Sequence, residues 1–334
     1  EYPLPFLLLV LWPTLDAITS GSLLATPGGW LAFGVAVLIM TGMAYLQVRA
    51  TTARPAVSAA MGRPIPATVS PWRSRICPIP LVPRNVERIA NLSYEPGGRE
   101  HLLDLYRHRD LTAPAPVLIY LHGGGYSSGS KYWESRPLMH RMAQRGWIVL
   151  SANYGLRPQA SFPEHVIDAK RVIAWVHDNA ERYGMDAATV AMAGSSAGGH
   201  MSMISALTPG DPRFQPGFED VDTRLVAAVG FYGYYGRYWG RDRGEDPPST
   251  PLAFDAHGAP PIFLTHGDVD SDAGVENSRA LATHLREGSS NRVVYAELPG
   301  AQHGFDLLAS ERCVAVVDGI ESFLAEAISG SAEP

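Results

Sequence analysis

From residue 101 to residue 327 the chain repeats one pattern: a short apolar run of strand length, then a segment with helical spacing, then another apolar run. The runs are "HLLDLYRH" (101–108), "VLIYLHG" (117–123), "WIVLSANY" (147–154), "TVAMAGS" (189–195), "LVAAVGFYG" (225–233), "PIFLTHG" (261–267) and "VVYAELPG" (293–300). Helical stretches fall around 133–145, over 163–183, from Ala197 onward and over 310–327; in the second, Val166, Ala169, Ile173, Val176 and Ala180 recur at the spacing of one buried face. Near-continuous apolar strands separated by helices need a mostly parallel sheet whose two faces are both covered. The chain is therefore restricted to the α/β class. No internal repeat competes with that reading.

The N-terminal fifty residues follow another rule. "WLAFGVAVLIMTGMAYLQV" runs from Trp30 to Val48 without a charge, and at 1.5 Å per residue such a helix covers most of a roughly 30 Å hydrocarbon core. Trp30 and Tyr45 stand near its ends, at the level of aromatic belts. The earlier "LPFLLLVLWPTLDAITSGSLL" is apolar but contains Pro13 and Asp16; its alternatives are a signal-peptide core or a surface-lying helix, although the basic n-region of a signal peptide is missing. Two spans, about 4–24 and 29–48, would form a membrane hairpin over residues 1–50. Arg49 and Arg54 follow the second span while residues 20–29 hold no basic residue, a bias that puts the remainder of the chain on the cytoplasmic side.

Residues 51–85 hold seven prolines and no apolar period, the composition of an extended linker. A catalytic-sized domain over 86–330 follows. Between 49 and 88 seven arginines face one acid, Glu87, whereas from 89 onward 30 acids outnumber 20 bases. An acidic body without a basic groove excludes nucleic acid as a partner and disfavours anionic substrates. Cys77 and Cys313 lie far apart, which excludes a disulfide framework and a cysteine zinc site. The sequence leaves the oligomeric state open.

Two glycine-rich turns carry the chemistry. The strand ending at Ala193 enters "GSSAGG", in which Gly194, Ser196 and Gly198 fit G-x-S-x-G. A serine on a sharp strand-to-helix turn has strained backbone angles, so the residues two before and two after it must be small. "HGGG" (122–125) follows an earlier strand. Glycine N–H groups there can approach an oxyanion with no Cβ in the way, so Gly124 and Gly125, together with the N–H of Ala197 after the serine, are the expected oxyanion donors. His122 is expected to anchor that loop.

A serine hydroxyl needs a base, and the base needs a carboxylate to orient it. His303 follows a strand and is flanked by Gly300 and Gly304, so it can lean over Ser196. Asp268, Asp270 and Asp272 all follow the preceding strand; Asp270 is the expected acid because a strand-end loop needs about three residues to turn back toward the histidine, with Asp268 its main rival. His257, His266 and His284 read as surface or structural residues. The aromatic "GFYGYYGRYW" (230–239), after a strand at the same edge, is a candidate lining for an apolar acyl pocket.

From about 86 to 327 the chain resembles the α/β-hydrolase esterases, in the hormone-sensitive-lipase-like carboxylesterase group, through "HGGG", "GSSAGG", "HGDVD" (266–270) and "GAQHGF" (300–305) in that order. The resemblance implies Ser196 as nucleophile, Asp270 as acid, His303 as base, Gly124, Gly125 and Ala197 as oxyanion donors, a small-molecule or lipid ester as substrate, and neither metal nor organic cofactor. The N-terminus is similar to that of some membrane-associated lipase-like esterases and isoprenylcysteine methylesterases. Two departures stand out: "SDAGVEN" follows Asp270 where relatives carry Val-Pro, and "YGLRP" (154–158) stands where they have Tyr-Arg-Leu.

Overall fold

A computed structural model describes residues 3–21, 23–76, 78–112, 114–238, 244 and 246–330. Cys77 and Trp239, part of the expectations above, lie outside the described residues.

Eight strands form one sheet: β1 (Val86–Ser93), β2 (Leu102–His108), β3 (Ala115–Leu121), β4 (Ile148–Ala152), β5 (Met185–Ser195), β6 (Ala227–Phe231), β7 (Ile262–Gly267) and β8 (Val293–Leu298), in the order β1-β2-β4-β3-β5-β6-β7-β8. β2 runs antiparallel to both its neighbours and every later pair is parallel. In register, Leu121 stands beside Gly194, Ser195 beside Phe231 and Gly267 beside Leu298. The C-terminal ends of β3, β5, β6, β7 and β8 therefore meet along one edge, where open α/β sheets bind ligands.

The helices are α1 (Pro3–Thr19), α2 (Pro27–Ala50), α3 (Ala53–Met61), α4 (Pro71–Ile76), α5 (Arg136–Gln144), α6 (Glu164–Tyr183), α7 (Ala197–Leu207), α8 (Glu276–Gly288) and α9 (Glu311–Gly330). Along β5, Val190 and Met192 pack with α6, α7 and α8, while Ala191 and Ala193 pack with α3, α5 and α9 on the other face. That two-sided burial is why the strands read as continuous apolar runs.

Residues 51–85 depart from the coreless linker expected of them. Ala53, Val57 and Met61 recur every fourth residue on α3 and are all buried, and Pro55 sits in the first turn, where its missing N–H has no intrahelical partner to lose. Val57 lies against Gly319 of α9 so closely that a Cβ there would come within 2.5 Å of Val57 Cγ1. The arginines of this segment pair with acids of α9: Arg54 with Asp318 at 2.7 Å, Arg75 with Glu311 at 2.9 Å, and Arg63 with Glu326. The folded domain thus starts near residue 53, some thirty residues before Val86. A two-turn helix offers too few repeats to show its period against seven prolines.

α1 and α2 form a hairpin through a 3-10 turn at Leu23–Ala25. Among the described residues one helical stretch, Pro27–Met61, is long and apolar enough to cross a membrane, with a mean hydropathy of 1.9 over its most apolar window and none of that window buried. α1 is shorter and contains Pro13.

Candidate active site

Ser196 occupies the turn between β5 and α7 with φ 53° and ψ −113°, a backbone conformation that costs a non-glycine residue about 1–3 kcal/mol and persists only where the surroundings enforce it. The enforcement is visible on both sides. A Cβ on Gly194 would sit 2.3 Å from the Gly198 carbonyl, and one on Gly198 would sit 2.0 Å from the Leu121 oxygen. Ser196 N–H donates to Phe231 O at 2.9 Å, tying the turn to β6.

The hydroxyl of Ser196 donates to His303 Nε2 at 3.0 Å, and His303 Nδ1–H donates to Asp270 Oδ2 at 2.7 Å. Asp270 is further held by the N–H groups of Asp272 and Ala273, each at 2.9 Å from Oδ1, and by His266 Nε2 at 3.1 Å from Oδ2. Burial pushes the Asp270 carboxyl up, but the hydrogen bonds from His266, His303 and Ala273 outweigh it and hold the group well below the usual carboxylate range. Asp268 is engaged elsewhere: it accepts Gly300 N–H at 2.5 Å and faces Arg49 at 3.5 Å. Asp272 lines the pocket in front of Ser196.

The HGGG loop lies beside this turn. Gly124 and Gly125 adopt φ +105° and +58°, and a Cβ on Gly124 would fall 2.2 Å from Ser128 O, so the turn cannot carry a side chain there. Gly124 O accepts from the N–H groups of Ser127 and Ser128. The N–H groups of Gly124, Gly125 and Ala197 make no hydrogen bond among the described residues, and all three residues border the cavity in front of Ser196. His122 stacks on Tyr154 and donates from Nδ1 to Gly123 O at 2.6 Å, while the Tyr154 hydroxyl donates to His122 O at 2.8 Å. Burial pushes the His122 imidazole down to about 4, so it is neutral at pH 7 and braces the loop.

The cavity, of about 390 Å³, is bounded by Tyr126, His200, Tyr234, Tyr238 and Ala273 in addition to the residues above. Of the aromatic stretch expected to line it, Tyr234 and Tyr238 do so. Phe231, Tyr232 and Tyr235 are buried in the core instead.

Three further residues, none of them expected at the site, complete the surroundings. His266, expected to be surface or structural, is fully buried against Asp270. Asp306 accepts from Ser135 and Ser195 hydroxyls at 2.5 and 2.6 Å and from the Tyr232 hydroxyl, whose ring lies 4.4 Å from that of His303. Glu134 accepts the Gly123 N–H at 2.5 Å. A Cβ on Gly123 would lie 3.0 Å from both the Glu134 carboxylate and Ser196 Cβ, so this glycine is wedged between those two side chains. Burial and the nearby charge of Asp306 push the Glu134 carboxyl up to about 7. The spacing of Asp306 three residues after His303, and of His266 four before Asp270, was the available signal; Glu134 had none. Among the described residues no cluster of histidine, cysteine and acids has the makings of a metal site.

A family model described as BD-FAE matches residues 103–235. The chain is 41% identical over 267 residues to a probable carboxylic ester hydrolase, LipM, of Mycobacterium tuberculosis, covering 73% of this chain and 62% of that protein. It is 38% identical over 280 residues to the esterase LipQ of the same organism, covering 75% and 66%. The chain thus spans less than two thirds of the length of these relatives. Among solved structures, the apo form of Thermogutta terrifontis esterase 2 superposes with a TM-score of 0.61 at 25% identity over 73% of this chain and 95% of that one. The same esterase phosphorylated by paraoxon gives 0.60 at 25% identity over 75% and 94%. The sheet order, the strained serine turn and these likenesses agree: the chain has the α/β-hydrolase fold and is similar to esterases built on it.

Proposed function

We propose that this chain is a membrane-anchored serine carboxylesterase that cleaves carboxylic esters through Ser196, His303 and Asp270. One observation carries the reading: an unbroken series of hydrogen bonds runs from Asp270 through His303 to Ser196, beside a cavity bordered by three residues whose backbone N–H groups have no partner among the described residues. The relatives' names, carboxylic ester hydrolase and esterase, support the same reaction class.

The chemistry follows from the groups. Ser196 Oγ attacks the ester carbonyl as its proton passes to His303 Nε2, and Asp270 steadies the imidazolium through Nδ1. Negative charge builds on the former carbonyl oxygen, and the N–H groups of Gly124, Gly125 and Ala197 stabilise it by roughly 3–4 kcal/mol each. His303 returns the proton to the departing alkoxide, leaving the acyl group on Ser196. Water deprotonated by the same histidine then releases the acid and restores the serine. Every step uses groups of the chain itself.

In this reading residues 1–50 anchor the protein, with the domain on the cytoplasmic side and residues 20–29 across the membrane. An amidase or peptidase would use the same three side chains. A p-nitrophenyl ester series run beside an arylamide separates the two: a burst of p-nitrophenol from the esters with negligible arylamide turnover supports the esterase, and arylamide cleavage at a comparable rate overturns it. Carbonate extraction of membranes and protease protection of the full chain test the anchor and its sidedness.

A further inference from the structure

α2 does not end in open solvent. Arg49, in its last turn, reaches Asp268 at 3.5 Å, and a Cβ on Gly300 would lie 3.1 Å from Arg49 Nε. These two residues are themselves joined by the bond from Gly300 N–H to Asp268, and the loops they begin carry Asp270 two residues on and His303 three residues on. Gln47 donates to Glu311 at 3.1 Å, and Arg75 meets the same carboxylate at 2.9 and 3.0 Å. The end of the apolar helix is therefore fastened to the edge of the sheet that holds Ser196.

A second observation concerns the surface around that junction. Trp72, Ile76, Ile79, Val269 and Leu307 are all exposed, and they come from three segments that meet there: Ala309 N–H donates to Pro78 O at 2.8 Å, and Val269 directly follows Asp268. Soluble surfaces scatter large apolar side chains singly; a group of them continuous with an unburied apolar helix marks a contact face. Of the arginines from 49 to 75, Arg49, Arg54, Arg63 and Arg75 are paired with acids of the domain, and Arg73 alone is exposed without an acid partner among the described residues. Attraction to anionic headgroups is therefore the weaker drive, and insertion of apolar side chains and of a Trp ring at the interface is the stronger.

We propose that the active-site edge of the domain faces the bilayer, with Trp72, Ile76, Ile79, Val269 and Leu307 in its interfacial layer, so that the ester reaches Ser196 from the lipid phase. The substrate class is then an amphipathic, membrane-resident ester. This rests on the anchoring reading above, and the test keeps the two apart.

The full chain, carrying Cys77→Ser and Cys313→Ala, is labelled with an environment-sensitive fluorophore at Ile79→Cys, at Leu307→Cys or at Glu181→Cys, the last at the opposite edge of the sheet. Each is reconstituted in phosphatidylcholine vesicles containing spin-labelled lipid, and flotation is recorded on the same samples. Quenching at 79 and 307 severalfold above that at 181 is the expected result. Equal quenching at the three sites in a chain that floats with the vesicles overturns the orientation and leaves the anchor standing; a chain that does not float overturns both. On the substrate side, the full chain should release acetate from dodecyl acetate dissolved in phosphatidylcholine vesicles. Trp72→Glu with Ile79→Glu should slow that release about tenfold while p-nitrophenyl acetate hydrolysis in water changes less than about twofold. A full chain that hydrolyses p-nitrophenyl acetate but leaves the vesicle-borne ester untouched overturns the lipid-phase route.

Discussion

His266 and His303 share one oxygen of Asp270. His266 Nε2 lies 3.1 Å from Oδ2 and His303 Nδ1 lies 2.7 Å from the same atom. His266 Nε2 also faces Ala273 O at 2.8 Å, and its Nδ1 meets the Ser278 hydroxyl at 2.7 Å. Two acceptors at Nε2 fix the hydrogen there, so Nδ1 accepts from Ser278 and the ring is a fixed donor to the acid. His266 is thereby a positioning residue for Asp270. His266→Ala should lower kcat by about 10- to 100-fold with little change in KM, the usual cost of losing a group that orients a catalytic one. Asp270→Asn should cost on the order of 10⁴ because it unsettles the tautomer of His303, and Asp268→Asn far less. Steady-state kinetics of the three variants on one p-nitrophenyl ester rank them; Asp268→Asn as the most damaged would move the acid two residues back.

Adjacent serines at the turn between β5 and α7 separate cleanly. Ser195 is buried and donates to Asp306 at 2.6 Å, with the Tyr120 hydroxyl 2.8 Å away, whereas Ser196 borders the cavity. Ser196→Ala should abolish esterase activity, a loss of at least about 10⁴-fold, and should abolish covalent labelling by paraoxon. Ser195→Ala should remain labelled and active, with a lowered Tm because Asp306 loses a donor in a buried site. Labelling of Ser196→Ala at the wild-type rate would show that another nucleophile is at work.

Glu134 gives the pH prediction. Its folded-state value of about 7 lies above the roughly 4.3 of an exposed glutamate. A raised carboxyl contributes stability that is complete below the unfolded value and is lost as pH rises through the folded one. The Tm of this chain should therefore fall between about pH 4 and about pH 7, and Glu134→Gln should flatten that slope while keeping an acceptor for Gly123 N–H. Glu134→Ala removes the acceptor as well and should lower kcat about tenfold through a loosened glycine loop. Parallel Tm curves for wild type and Glu134→Gln, followed by circular dichroism, would exclude the glutamate as the titrating group.

The central strands were legible because both their faces are buried, which leaves β3, β5 and β7 as unbroken apolar runs. The tight turns at Ser196 and at Gly124 and Gly125 were legible because sterics at a strained turn leave little choice of residue. β1 was not singled out: at the sheet edge its burial is irregular, and the register shifts between Ile89 and Leu92 around Asn91, whose φ is 59°. Alternation is the only periodic signal of a half-exposed strand, and a bulge erases it. Glu134 was invisible for a different reason. Its partners, Gly123 and Asp306, are brought to it by the crossing of β3, α5 and the loop after β8, and no local pattern encodes such a meeting.

The domain boundary yields the last prediction. A chain beginning at Thr51 loses α1 and α2 with the Arg49–Asp268 and Gln47–Glu311 contacts, which are half-exposed, screened by solvent and therefore of little consequence for stability. It keeps α3 against Gly319, and Arg54 on Asp318, a carboxylate whose side chain is 1% exposed. That chain should stay in solution without detergent and retain most of its activity on short water-soluble esters. A chain beginning at Val86 uncovers the α9 face under Val57 and Met61 and leaves Asp318 with Arg141 alone. Burying Val57 by itself stabilises by about 1.5–3 kcal/mol, and an under-paired buried carboxylate adds to the loss. The shorter chain should therefore aggregate or unfold at a temperature well below the longer one, as read by thermal denaturation and size-exclusion chromatography. Equal Tm and equal kcat/KM for the two would restore residues 51–85 to the status of a linker, and a Thr51 chain that folds but has lost turnover would make α2 part of the active site.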